Sequence, residues 1–198
     1  MPVTLLPHLN KEELNILLDI AKSAINEYIT NKPVTIPDTE SLPHKLREPA
    51  GCFVTLEVDG ELQGCLGSIY PSSNYSLAEE VARKARSSCC EDTRFPPLEA
   101  QQLSALTVEV SVLSIPKPKS CSSQQELEEF LSQNKIGLIL SEGHRRAVFL
   151  PQVWEKLPNP HEFIRHLKLK GGWRADYWSE NIKVETFVVS SVEGAYHE

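Results

Sequence analysis

The stretch Glu61–Pro71, ELQGCLGSIYP, sets Cys65 between Gly64 and Gly67 in a run that otherwise reads as a strand. Glycine weakens a strand, so a pair of them signals that something approaches the backbone closely. One reading makes Cys65 a nucleophile or thiolate ligand, with His166 as its base and Glu109 as the orienting carboxylate. That is the Cys-His-acid arrangement of acyl transfer. The other reading makes the glycines the mark of a bulge and of tight packing, Cys65 the filler of a small apolar niche, and His166 a cap for its own helix. Both stand on the sequence, because a base is named by geometry before pKa.

Two further groups carry chemical potential. Arg165, His166, Lys168, Lys170 and Arg174, with His144, Arg145 and Arg146, form a basic cluster that could hold an anion on an acidic chain, or could be a solvated helix end. Trp154, Trp173 and Trp178 could floor a cleft for a planar substrate or anchor a core. The cysteines Cys52, Cys65, Cys89, Cys90 and Cys121 are odd in number and include no C-x-x-C pair, which argues for free thiols. Cys89 falls on the apolar stripe Ala78, Ala82, Ala85 and reads as a small buried hydrophobe rather than half of a vicinal redox pair. No phosphate-cradling loop, zinc-protease motif or nucleophile elbow is present, and neither a cofactor nor a metal is expected.

These residues need elements to position them. Asn10 with Glu13 starts a helix whose apolar positions Leu14, Leu17, Leu18, Ala21, Ala24, Ile25 and Tyr28 keep a 3.6-residue period. Prolines 33, 37, 43 and 49 predict an extended connector over residues 32–50. Asp59-Gly60 joins two strand-like runs as a hairpin. A two-residue loop sets Val58 opposite Glu61, Leu56 opposite Gln63, Val54 opposite Cys65 and Cys52 opposite Gly67, so that Cys65 faces an apolar layer. A one-residue bulge would send it to the other face.

Ser76 and Glu79 cap a helix over 77–90, with Glu79–Arg83 and Glu80–Lys84 spaced for ion pairs. LTVEVSVLSI alternates, with Val108, Val110 and Val112 on one face and Glu109 and Ser111 on the other, Glu109 being read as a solvated edge group. Ser123 and Glu126 open a third helix. IGLIL and RAVFL flank a second hairpin, and Asn159-Pro160 starts a helix that ends at Gly171-Gly172, with Lys168 and Lys170 in its last turn. IKVETFVVS is the last strand. About six strands with helices between strand pairs, and no regular βαβ alternation, make an α+β fold of mainly antiparallel sheet with flanking helices.

A chain of 198 residues buries roughly 70% of its unfolded surface and fits one domain in two lobes. Twenty-seven acidic against 20 basic residues, a formal charge of −7, argue against broad phosphate-backbone binding, which requires a basic face. No apolar run reaches a membrane span, and the first ten residues lack the n- and h-regions of a signal peptide. A soluble cytoplasmic protein is expected.

LQGCLG at 62–67 resembles the LRGCIG hallmark of the AMMECR-domain family, whose prokaryotic members are called AmmeMemoRadiSam system protein A. EPAGCFVTL, EDTRFPPL, LTVEVSVL, GLIL, FLPQVW and FIRHLKLKGG follow in the family's order, so the resemblance covers residues 46 to about 190. It implies a single α+β domain spanning 1–198, with helix and connector in 1–50 and the family core in 51–190. It places the hallmark hairpin near a cleft between lobes. It also implies companions, a Memo-like protein and a radical S-adenosylmethionine enzyme, and so a binding or accessory protein presenting a small molecule or peptide. The alternative is a small cysteine-dependent hydrolase or transferase centred on Cys65. Gln63, Gly64, Gly67, Arg94 and Trp173 are the expected ligand-binding residues, and Cys65, His166 and Glu109 the catalytic ones if there is catalysis. Gln63 stands where the family has arginine and offers neither its charge nor its fork.

Overall fold

In a computed structural model the described residues are 9–35 and 38–197; the reading of residues 1–8 and the connector's Pro37 lie outside them. The fold is α+β. In chain order the elements are α1 (Lys11–Ile29), a 3-10 turn (Thr39–Ser41), α2 (His44–Arg47), β1 (Gly51–Val58), β2 (Glu61–Ser68), α3 (Leu77–Cys90), a second 3-10 turn (Ala100–Ala105), β3 (Leu106–Leu113), β4 (Lys117–Pro118), α4 (Gln124–Gln133), β5 (Gly137–Glu142), β6 (Arg145–Phe149), α5 (Val153–Lys156), α6 (Pro160–Lys170), β7 (Lys183–Phe187) and β8 (Val189–Ala195). They form two four-stranded antiparallel sheets, ordered β2-β1-β3-β8 and β4-β7-β5-β6. The chain divides into two compact units, residues 1–115 with 190–198, and residues 116–189. No helix among the described residues is long and apolar enough to cross a membrane.

In the first unit, Asn10 and Glu13 close a reciprocal capping box, and α1 buries Leu17, Leu18, Ala21, Ala24 and Ile25. Ser76 and Glu79 close the same box on α3. These two helices pack on the sheet face formed by Cys52, Val54, Leu56, Val108, Val110 and Val112. Glu80 pairs with Lys84 at 3.5 Å, whereas Glu79 spends its carboxylate on the Ser76 N–H and hydroxyl, each at 2.8 Å, and leaves Arg83 to lie over the Tyr75 ring. The connector is not wholly extended. Pro43 takes the N-cap of α2, a place where a missing N–H costs nothing, and Leu46 of α2 is fully buried.

Asp59 and Gly60 have φ of 53° and 79°, as a type I′ turn demands, and Val58 pairs with Glu61. Beyond the turn the sequence-based register fails by one residue. A bulge at Leu56/Glu57 leaves Gln63 unpaired, so Leu56 faces Gly64, Val54 faces Leu66, Thr55 faces Cys65 and Phe53 faces Gly67. Cys65 therefore leaves the apolar layer of Val54 and joins the opposite face. The glycines answer to the chain's own packing. A Cβ on Gly64 would stand 2.1 Å from the Ser88 carbonyl oxygen of α3, and one on Gly67 would stand 2.4 Å from the Phe53 ring.

In the second unit, Leu127, Leu131, Leu138, Leu140, Phe163, Ile164 and Leu167 make a separate core, with Trp154 stacked on Phe163 at a 3.6 Å ring-centroid distance. Asn159 caps α6, and Gly172 at φ 78° follows its end, as the sequence signals require. Residues 182–190 are not one strand: β7 belongs to the second sheet and β8 to the first, so the chain changes sheets at Val188.

Gly64→Ala should cost about 1–3 kcal/mol, because the added methyl meets backbone that cannot swing aside. Thermal melting checks this: a loss of several degrees is expected, and an unchanged melting temperature would show that α3 does not rest on Gly64.

Candidate functional site

Cys65, Thr55 and Glu109 stand in one row across the first sheet, since Thr55 is the cross-strand partner of both of the others. The next row is Gly67, Phe53 and Ser111. This face lies opposite the one that carries the helices. β3 is an internal strand, so Glu109 is a half-buried group at mid-sheet and not a solvated edge residue. Ser111 donates to its carboxylate at 3.0 Å.

β2 ends the strand order, and the outward backbone groups of its Cys65 are satisfied by the segment that follows α3. The Cys65 N–H donates to Asp92 Oδ2 at 2.9 Å, and the Cys65 carbonyl accepts from Arg94 Nη2 at 3.3 Å. Arg94 grips Asp92 with both Nε (2.9 Å) and Nη2 (2.7 Å). Asp92 is 7% exposed, and its hydrogen bond from Arg94, ahead of the Cys65 N–H, holds its carboxyl well below the usual carboxylate range. Deeper in, the Ser88 hydroxyl accepts from the Leu66 N–H at 3.0 Å and donates to the Val54 carbonyl at 2.8 Å, bridging the two strands from α3. The bulged Gln63 donates to the Pro96 carbonyl at 2.7 Å and accepts from Gln102 Nε2 at 3.2 Å. An arginine at position 63 could do the first but not the second, having no acceptor.

Within this frame the Cys65 thiol is half-buried and accepts from the Thr55 hydroxyl at 3.2 Å. Burial pushes its pKa up. The Thr55 bond and Arg94 act the other way without reversing the direction, while Asp92 and Glu109 add to the rise. At neutral pH it is a thiol. Among the described residues, no imidazole is one of the groups that act on it.

His166 lies on α6 of the second unit, exposed, 3.7 Å from Glu162. Within one unit the structure thus brings together Cys65 and Glu109, through Thr55. Arg94 and Gln63 join them around the β2 edge. Trp173 belongs to the second unit, where it is 3% exposed and gives its indole N–H to Glu142 Oε2 at 3.1 Å. Trp154 is also buried, its indole bonded to the Ile136 carbonyl at 2.9 Å. The basic cluster is divided among local partners. Arg165 pairs with Glu162, Arg174 with Asp176 and Arg146 with Glu185, while Lys170 donates to the Val148 carbonyl. Lys168 is not a solvated helix-end cation but fully buried, donating to Gln124 Oε1 at 2.6 Å and to the Tyr177 carbonyl at 3.0 Å.

Asp92, Ser88 and Thr55 are the participants that sequence reasoning missed. Two signals were present: an acid and an arginine two residues apart just past a helix end, and a serine on the buried stripe of α3.

The five cysteines are free thiols, with Cys52 and Cys89 buried and Cys90 exposed; burial pushes Cys89 up to about 12. Iodoacetamide at neutral pH should label Cys90 first, Cys65 more slowly, and Cys52 and Cys89 only on unfolding. Cys65 reacting ahead of Cys90 would reinstate an activated nucleophile.

Asp92 generates a pH prediction. Its folded pKa is depressed, so the stability it supplies is complete above the ordinary carboxylate value, about 4, and is lost progressively as pH falls below it. Asp92→Asn should cost about 1–3 kcal/mol at pH 7, and the gap between the two proteins should shrink in denaturant titrations run at successively lower pH below about 4. A gap independent of pH would show that the charge of Asp92 is not what holds the edge.

The model of the AMMECR1 family matches residues 18–192. A protein from Thermofilum pendens is 37% identical over 195 residues, covering 90% of this chain and 88% of its own length. Protein MJ0810 from Methanocaldococcus jannaschii is 33% identical, covering 90% and 89%. The crystal structure of protein PH0010 from Pyrococcus horikoshii superposes with a TM-score of 0.82 at 29% identity, over 96% of this chain and 95% of that one.

Proposed function

The chain belongs to the AMMECR1 family, and from that premise we propose that it is a binding or accessory component working with a Memo-like protein and a radical S-adenosylmethionine enzyme in the cytoplasm, presenting a small molecule or peptide at the Gln63–Gly67 hairpin. Family membership supports the companions. The state of Cys65 supports binding over catalysis: a thiol raised by burial, hydrogen-bonded by Thr55 and flanked by carboxylates lacks the activation that a nucleophilic cysteine needs. The hairpin suits presentation. Its backbone is fixed by Asp92, Arg94 and Ser88, while Leu62 beside it is 39% exposed.

The test is association of the purified full chain with its Memo-like and radical-enzyme counterparts from the same organism, read by co-elution and titration. Cys65→Ser should bind within a few-fold of the parent, because no thiolate is required. Leu62→Lys, at an exposed position, should weaken association about tenfold without moving the melting temperature. Failure of the parent to associate with either protein would refute the partnership. Intact association of Cys65→Ser combined with loss of turnover in the reconstituted mixture would replace this reading with a cysteine-dependent enzyme.

A further inference from the structure

Away from the hairpin, α3 carries two cations whose charge the fold leaves unspent. Arg83 is exposed and lies over the Tyr75 ring, its guanidinium carbon 3.9 Å from the centroid. Arg86 lies 5.5 Å above the Tyr28 ring and donates one N–H to the Lys32 carbonyl at 3.2 Å. Neither takes part in an ion pair among the described residues. The carboxylate spaced to neutralise Arg83, that of Glu79, is committed to the helix cap. A guanidinium held over a ring face keeps its charge and has N–H donors left to match a carboxylate.

The two arginines border a concave pocket of about 230 Å³ that runs along this helix face. Val34 and Ala82 supply its apolar lining and Ser87 a hydroxyl. Glu79, Arg83, Ser87 and Glu91 recur at four-residue spacing, so they form one stripe of the helix. Glu91, exposed at the C-cap, lines the same pocket and likewise has no ion-pair partner among the described residues. Unspent positive and negative charge thus face one small space. Its volume is below the ~300–1,000 Å³ of sites for drug-sized ligands, which limits the occupant to a smaller molecule.

We propose that this pocket binds a small zwitterion of the α-amino-acid type, its carboxylate on Arg83 and Arg86, its ammonium at Glu91, and a short apolar side chain against Val34 and Ala82. A simple anion is disfavoured because the two glutamates share the wall. The proposal is independent of the hairpin and its partners.

The probes are L-leucine, N-acetyl-L-leucine, 3-methylbutylamine and inorganic phosphate, titrated into the full chain and followed by amide NMR shifts. Leucine should give saturable shifts on residues 79–91 and on Val34, and the other three should each bind at least tenfold more weakly, since N-acetyl-leucine lacks the ammonium, the amine lacks the carboxylate, and phosphate lacks both ammonium and side chain. Arg83→Gln and Glu91→Gln, both at exposed positions, should each weaken leucine at least fivefold with unchanged melting temperature. Equal binding of N-acetyl-leucine or phosphate would overturn the zwitterion in favour of an anion site. Absence of saturable shifts up to about 10 mM leucine, a free energy weaker than about −3 kcal/mol, would overturn the pocket, as would leucine binding indifferent to both variants.

Discussion

The contact on which the first unit depends is that of the α3 backbone at Ser88 against Gly64. Helices normally rest on sheets through side chains. Here Gly64 of β2 has no Cβ, and the helix backbone comes down to the strand. The Ser88 hydroxyl then reaches the Leu66 N–H and the Val54 carbonyl and bridges β1 to β2. Such an approach fixes the face on which Gly64 must lie, and with period-2 alternation it fixes the face of Cys65 as well. The bulge at Gln63 reconciles this demand with the tight Asp59-Gly60 turn, which alone would have set the alternate register.

From the same contact follows the clamp on the strand edge. α3 ends two residues after Ser88, and the chain turns at once, so Asp92 arrives beside the outward N–H of Cys65. An edge strand with free N–H and C=O groups invites pairing with other chains, and the Asp92–Arg94 pair occupies both groups of Cys65. Gln63 extends the occupation. Its amide joins a chain that runs from the Glu99 N–H through Gln102 to the Pro96 carbonyl, and each link needs a group that both donates and accepts. Glutamine at the hallmark's second position is therefore built into its local surroundings, with Gln102 as its complement.

The parts legible in the sequence were those set by local chemistry. The capping boxes at Asn10 and Ser76, the Asn159-Pro160 helix start, the Asp59-Gly60 turn and the alternation of Val108, Val110 and Val112 are each decided by neighbours a few residues away. What escaped was decided by distant groups. No local signal says that Ser88 will press on Gly64, so the bulge, and with it the face of Cys65, had to be seen. The change of sheet at Val188 is equally silent, since both halves of IKVETFVVS have strand propensity. Lys168 followed the rule that cations favour a helix C-terminus, but Gln124 and the Tyr177 carbonyl offered it neutral acceptors inside the second unit, and it is buried. Of the candidate site, the residue types on the sheet were readable, while Thr55 and Asp92 were not, because each acts across strands or across the chain.

A shared use of carboxylates links the two units. In the first, Asp92 takes donors from Cys65 and Arg94. In the second, Glu142 takes them from Trp173, Tyr177 and Ser179, and the Ser179 hydrogen bond leads the causes that lower its pKa. Both groups accept hydrogen bonds only while ionised to their full capacity, so both favour the folded chain above the ordinary carboxylate range and cease to do so as pH falls below it. Glu13, Glu79 and Glu126 do related work at helix starts, taking the N–H groups of Asn10, Ser76 and Ser122. The excess of 27 acidic over 20 basic residues is thus partly an inventory of internal acceptors. These carboxylates keep their charge while they accept, so the net charge of −7 stands, and Arg83 and Arg86, which take no ion-pair partner among the described residues, are set against an acidic background.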